Sequence, residues 1–403
     1  MMLAMKPCFA SLIFAACLAG TCLAAAPTYT RDIAPLLNQR CVECHRAGEV
    51  APMALTSYQE VRPWAKSIRE RVVTRVMPPW FADPHYGNFK NDRRLAQSEI
   101  DLIAAWVTAG APEGEAKDMP APRQFTEGWG IGKPDVVIDY GREFDVPATG
   151  VVDYQYFMVP TDFKEDRWIQ AAEIRPQHRG QTHHINVFIV EPGKKPDTAP
   201  MLTGFAPGVQ PLNLEPGTAM LLKAGSTLMF QAHYSPNGTA VKDRSFVGIR
   251  FAKEAPKLRS ITDRAYNAMF KIPAGDPDYI VKSKWTAPED VDLSAMLPHM
   301  HFRGKSFQFT AVFPDGHEQV LLNVPHYDFN WQLGYELKDP VRLPKGTRID
   351  CVAHFDNSAN NKWNPDATKD VRWGDQTFEE MMIGFFLYKV PAQPAAPLTA
   401  SVR

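Results

Sequence analysis

His299 and His301, in the run Leu297-Pro298-His299-Met300-His301-Phe302-Arg303-Gly304, are the first residues that suggest chemistry. They lie among β-formers, and a strand repeats its side-chain direction every second residue, so both imidazoles project to one side. Neutral imidazoles suit copper, zinc, iron or nickel alike, so the pair alone names no metal. Late in the chain, Glu379-Glu380-Met381-Met382 supplies a thioether. A thioether beside two imidazoles favours Cu(I), and an open position there could take O2. Met381 and Met382 alternate across a strand, so only one of them can face the pair.

A second group is His183-His184, with His233 in Phe230-Gln231-Ala232-His233-Tyr234. Adjacent histidines on a regular strand face opposite ways, so joint ligation requires a bulge or a strand end at that point. Three imidazoles without a thiolate suit a copper ion that changes charge state, and zinc takes the same ligands.

The third group is Cys41-Val42-Glu43-Cys44-His45. C-x-x-C-H attaches c-type haem: the two thiols on one turn reach the vinyl groups and the adjacent His45 reaches the iron. A redox or zinc C-x-x-C is the competing reading. Met77, in Val76-Met77-Pro78-Pro79-Trp80, is the expected sixth ligand, because the following proline holds it extended. Met53 and His85 are the alternatives.

Several features must position these residues. At 403 residues the chain is long enough for two to three domains, and 45% apolar residues is ordinary for a globular protein. A net charge of -1 gives no reason to expect nucleic acid as a partner. Residues 1–26 read as a signal peptide: Lys6, an apolar run from Cys8 to Gly20, then Ala24-Ala25-Ala26 as a cleavage site. Lipidation at Cys17 or Cys22 lacks the usual preceding Leu. The expected location is the periplasm or outside the cell, with no membrane span. Beyond the signal only Cys41, Cys44 and Cys351 remain, too few for a disulfide framework, and Cys351 is expected as a buried free thiol.

From Pro27 onward, Thr30 is expected to cap a short helix bearing Ile33, Leu36 and Leu37. Ser98 is expected to cap another, with Ile100, Ile103, Ala104 and Val107 on one face and Gly110 at its end. Residues 27–115 thus resemble a small all-α, class I-like cytochrome c domain, on CVECH and MPPW. Residues 116–134, rich in Gly and Pro, read as a linker. The short Val/Ile/Tyr/Phe runs that follow, with turns between them, predict two antiparallel β-sandwich (jelly-roll) domains over 135–265 and 266–392.

The ligand order His183-His184, Gln231-x-His233, His299-x-His301, Glu380-Met381 resembles the copper type II, ascorbate-dependent monooxygenases, the group of dopamine β-monooxygenase and the peptidylglycine hydroxylating enzymes. The resemblance covers roughly residues 130–390. It implies an electron-donating copper on His183, His184 and His233, and an O2-activating copper on His299, His301 and Met381. Leu297 stands where peptide-amidating members carry a substrate-binding Arg, and Phe385 where they carry a Tyr, so peptide amidation is not expected. The resemblance implies a monooxygenase that hydroxylates a C–H bond of a small organic substrate with O2. Haem c, fed by a periplasmic donor, would supply the electrons that ascorbate supplies in the animal relatives. The alternative is a non-catalytic copper or haem electron-transfer protein with the same ligands.

Overall fold

A computed structural model describes residues 26–49, 51–125, 128–206 and 209–392. The expected signal peptide, apart from residue 26, lies outside the described residues.

Alternation builds the sheets. In the strand Arg348–Phe355, Ile349, Cys351, Ala353 and Phe355 are fully buried while their neighbours are only half-buried. Cys351 is therefore a core thiol, free as expected. In the first half of the β region, a four-stranded sheet runs Gln155–Pro160, Thr227–Tyr234, Thr182–Val190, Met201–Phe205. Its inner side chains, among them Phe157, Ile185, Val187 and Phe230, pack on Ile169, Ile174, Val247 and Ile249 of an opposing sheet. In the second half, Tyr279–Thr286, Arg348–Phe355, Gly304–Val312 and Glu318–Val324 form another four-stranded sheet. Phe307, Phe309 and Ile349 from it share a core with Leu293, Met296, Phe386 and Tyr388.

The two opposing sheets are continuous. Thr218–Leu222 pairs in parallel with Leu258–Tyr266 through Leu258↔Thr218 and Arg259↔Ala219. That strand then pairs along its length with Ile383–Pro391, which pairs with Val291–His299. One nine-stranded sheet thus crosses both sandwiches and fixes their relation.

The expected β-sandwiches form, but the expected small all-α cytochrome domain does not. The chain is dominated by strands, and its α-helices are short: α1 Ala34–Arg40, α2 Tyr58–Val61, α3 Ala65–Val73 and α4 Gln97–Thr108. Tyr29, Ile33, Leu37, Ile103 and Trp106 give these helices a small core. Between α3 and α4, Leu95 joins this core but the larger apolar residues go elsewhere. Trp80, Ala82 and Phe89 belong to the core of the second sandwich, where Trp80 and Phe89 meet Tyr335 at ring-centroid distances of 4.9 and 5.6 Å. Lys90 N–H donates to Glu336 O at 2.9 Å and Lys338 N–H to Asn88 O at 2.7 Å, adding this segment to the sheet edge. Short helices whose connecting segment buries Trp80 and Phe89 in a neighbouring core are not an independent all-α unit.

Smaller expectations shift as well. Thr30 lies inside a π-helical turn, Tyr29–Ile33, rather than at a cap. At α4 the Glu99 side chain accepts from Ala96 N–H at 2.7 Å, and Ser98 is already helical. The end of the expected linker joins the first sandwich: Ile131 is buried, its N–H bonds Glu173 Oε2 at 3.1 Å, and Trp129 packs edge-on to Phe246 at 5.7 Å.

Candidate metal and haem sites

Antiparallel pairing sets Thr182 opposite Tyr234 and His184 opposite His233, so His183 is an extra residue with no partner across the ladder. That bulge turns two adjacent histidines toward one point. The three rings form a near-equilateral triangle, with centroids 5.4 Å apart for His183–His184 and 5.2 Å for each with His233. One nitrogen from each lies within 4.8 Å of the others. His183 Nδ1 and His184 Nδ1 approach to 3.1 Å, while His233 Nδ1 is buried with no hydrogen-bond partner. Tyr154 stacks on His233 at 4.7 Å and Phe329 on His183 at 5.2 Å, walling the site. Burial lowers His183 to about 4 and His233 to about 3, and it pushes His184 down too. All three imidazoles are neutral at pH 7, the form that has a lone pair for a cation.

His299 ends its strand and His301 lies just past it, with ring centroids 5.3 Å apart and both rings buried. His299 Nδ1 lies 2.7 Å from Gln332 Oε1, an acceptor, so Nδ1 carries the proton and Nε2 is free. His301 Nδ1 donates to Glu379 O at 3.3 Å, and its buried Nε2 has no partner. Burial lowers His299 to about 4 and His301 in the same direction. The loop between them is clasped by Tyr327, whose hydroxyl accepts from Met300 N–H at 3.1 Å and donates to Met300 O at 2.8 Å. Glu380 accepts from the backbone N–H groups of His301 and Arg303, at 2.8 and 2.7 Å.

Met381 and Met382 precede the strand Ile383–Pro391 and part company. Met382 is fully buried in the second core, whereas Met381 lines a groove of about 1330 Å³ together with His299. His184, Gln231, Gln332, Leu297 and Phe385 line the same groove. Both histidine groups therefore meet one space between the sandwiches. Phe329 partitions them, stacked on His183 and edge-on to His301 at 5.9 Å. Gln231 is tied down by bonds to Tyr156 and Asn186, at 3.0 and 3.3 Å.

At the N-terminal segment, α1 ends at Arg40, and the N–H groups of Cys44 and His45 both bond Cys41 O, at 3.2 and 3.0 Å. One turn therefore carries both thiols and the imidazole. His45 Nδ1 donates to Met53 O at 3.3 Å, which leaves Nε2 free as a donor nitrogen. That same bond places Met53 on the His45 side. His85 is exposed and bonds Asp83 Oδ1 at 2.7 Å. Met77 follows α3 half-buried and outside the helical core, with its N–H on Arg71 O at 3.1 Å. Burial pushes Cys41 up to about 12 and also raises Cys44, the reverse of what activates a redox C-x-x-C.

The three-histidine group thus converges as a soft-to-borderline metal ion requires, while the imidazole pair with Met381 and the two thiols with His45 have the donor types that a second ion and a thioether-linked haem would need. Tyr154, Phe329, Gln332 and the clasp made by Tyr327 on Met300 carry no motif signal, since each makes its contact across a long stretch of chain.

No family model and no curated protein matches the chain. Several of the solved structures that align with it are viral. The major capsid protein P2 of bacteriophage PM2 shows 10% identity over 64% of this chain and 100% of its own, with a TM-score of 0.28. PBCV-1 VP54 shows 7% identity over 68% and 99%, with a TM-score of 0.24. The infectious bursal disease virus Gx strain structure shows 7% identity over 64% and 82%, with a TM-score of 0.17. Scores this low carry no argument about fold or chemistry. Among the described residues, no helix is long and apolar enough to cross a membrane.

Proposed function

We propose that the chain is an exported haem c and copper oxidoreductase, a two-copper monooxygenase that hydroxylates a C–H bond of a small organic substrate with O2. The observation that carries this reading is the shared groove: His184 of one histidine group and His299 and Met381 of the other line a single space between the sandwiches. His183, His184 and His233 would hold the electron-donating ion, and His299, His301 and Met381 the ion at which O2 is used. Cys41, Cys44 and His45 would hold the haem, with Met77 as its sixth ligand. When bound, the coppers supply the one-electron reductions that O2 activation requires.

The chain's own residues do the rest. Gln332 holds the His299 proton on Nδ1, and Glu379 O does the same for His301, so both rings present Nε2. Glu380 fixes the backbone at His301 and Arg303, which keeps the pair in register with the following Met381. Phe329 and Tyr154 keep water from the rings they cover. Leu297, Phe385 and Ile383 give the groove an apolar wall suited to an uncharged carbon skeleton. A segment with signal-peptide character supports export to the periplasm, where a soluble donor would reduce the haem.

Met381→Ala removes the thioether while leaving both histidine groups. The expected result is loss of substrate-dependent O2 uptake with an unchanged haem spectrum. Full O2 uptake in that variant rules out the assignment. If no candidate substrate accelerates O2 uptake by the copper-loaded wild type, the chain is an electron carrier or copper-holding protein.

A further inference from the structure

The haem-attachment turn is pinned to the strand that bears the three-histidine site. Glu49 follows His45 by four positions and Arg179 precedes His183 by four. Arg179 donates to Glu49 Oε2 at 2.5 Å, and Arg46 donates to Glu49 Oε1 at 2.8 Å. One carboxylate thus joins a guanidinium from the haem turn to a guanidinium from the first sandwich. A second contact runs parallel to it, with Gln210 Nε2 donating to Glu43 Oε1 at 3.1 Å. Arg46 also lies over the Phe125 ring at 3.9 Å. The link from Arg179 to the histidines is stiff. Gln181 and Thr182 N–H both bond His178 O, at 3.2 and 3.1 Å, and Ser235 N–H bonds Gln181 O at 2.8 Å beside His233. A four-residue stretch reaches no more than about 14 Å fully extended. The contact therefore sits close to both ends of the route.

We infer that Glu49 and Arg179 are positioning residues, which dock the haem turn so that its electron enters at His183/His184/His233. This rests on the functional reading above. In each event ferrous haem held by Cys41, Cys44 and His45 would be oxidised to ferric, and a cupric ion held by His183, His184 and His233 would be reduced to cuprous. One electron moves, no bond forms or breaks, and an external one-electron donor reduces the haem again.

The test uses the full-length, haem- and copper-loaded protein. A photoreduced flavin delivers an electron to the haem in a laser flash, and the haem absorbance then reports reoxidation by copper. Arg179→Glu should slow that reoxidation about tenfold, equivalent to about 1.4 kcal/mol of lost docking free energy. Glu49→Gln should slow it in the same direction, Arg179→Lys should stay near the wild-type rate, and His233→Ala should abolish the phase. The haem spectrum and copper content of the Arg179 and Glu49 variants should match wild type. A wild-type reoxidation rate in loaded Arg179→Glu and Glu49→Gln overturns the docking role while leaving the functional reading intact. Wild-type protein without haem or copper overturns both.

Discussion

At His299 the free ring nitrogen is decided by Gln332, whose Oε1 lies 2.7 Å from Nδ1. Gln332→Leu keeps the volume but removes the acceptor, so the ring can turn or protonate at the wrong nitrogen. Copper affinity at the His299/His301/Met381 site should fall about 10–100-fold, while the three-histidine site keeps its affinity. Chelator competition on the two sites checks this, and unchanged affinity at both removes Gln332 from the account. His183, His184, His233, His299 and His301 stood out from sequence because their type and spacing are themselves the signal. Gln332, Tyr154 and Phe329 did not, because a hydrogen bond or a stacked ring between distant segments leaves no periodic trace. The choice between Met381 and Met382 likewise needed the fold. Both precede the strand, and only packing sends one to the core and the other to the groove.

The strand containing Trp80's partner Tyr335 shows how elements borrow from one another. Trp80 lies at the end of the Met77-Pro78-Pro79-Trp80 run, yet its ring is buried against Tyr335 and Phe89 in the second sandwich. Trp80→Ala should therefore lower the stability of that sandwich by about 3–5 kcal/mol. Chemical denaturation followed by a probe in the second sandwich reads it. A loss confined to the helical segment would mean that the segment folds on its own. The strands were readable because burial of every second side chain is a local pattern. The fate of residues 78–95 was not, because helical periodicity on both sides of the gap says nothing about where the aromatics between them are buried. The bulge at His183 was a necessity argued from adjacent histidines, and the ladder breaks there.

At the scale of the whole molecule, a single nine-stranded sheet fixes the two sandwiches, and the N-terminal segment touches both. Phe89 pairs with Leu337 in the second, and Glu49 meets Arg179 of the first. The groove between the sandwiches brings His184 and His299 to one space although they are far apart in sequence. That convergence is what would make the two proposed copper sites and the proposed haem a single device rather than three attachments. Copper content, measured by elemental analysis of the purified protein after loading and removal of free metal, tests this most directly. Two copper ions per chain, falling to one in His233→Ala and to one in His299→Ala, is the predicted result. No copper, or a stoichiometry that neither substitution changes, would contradict it.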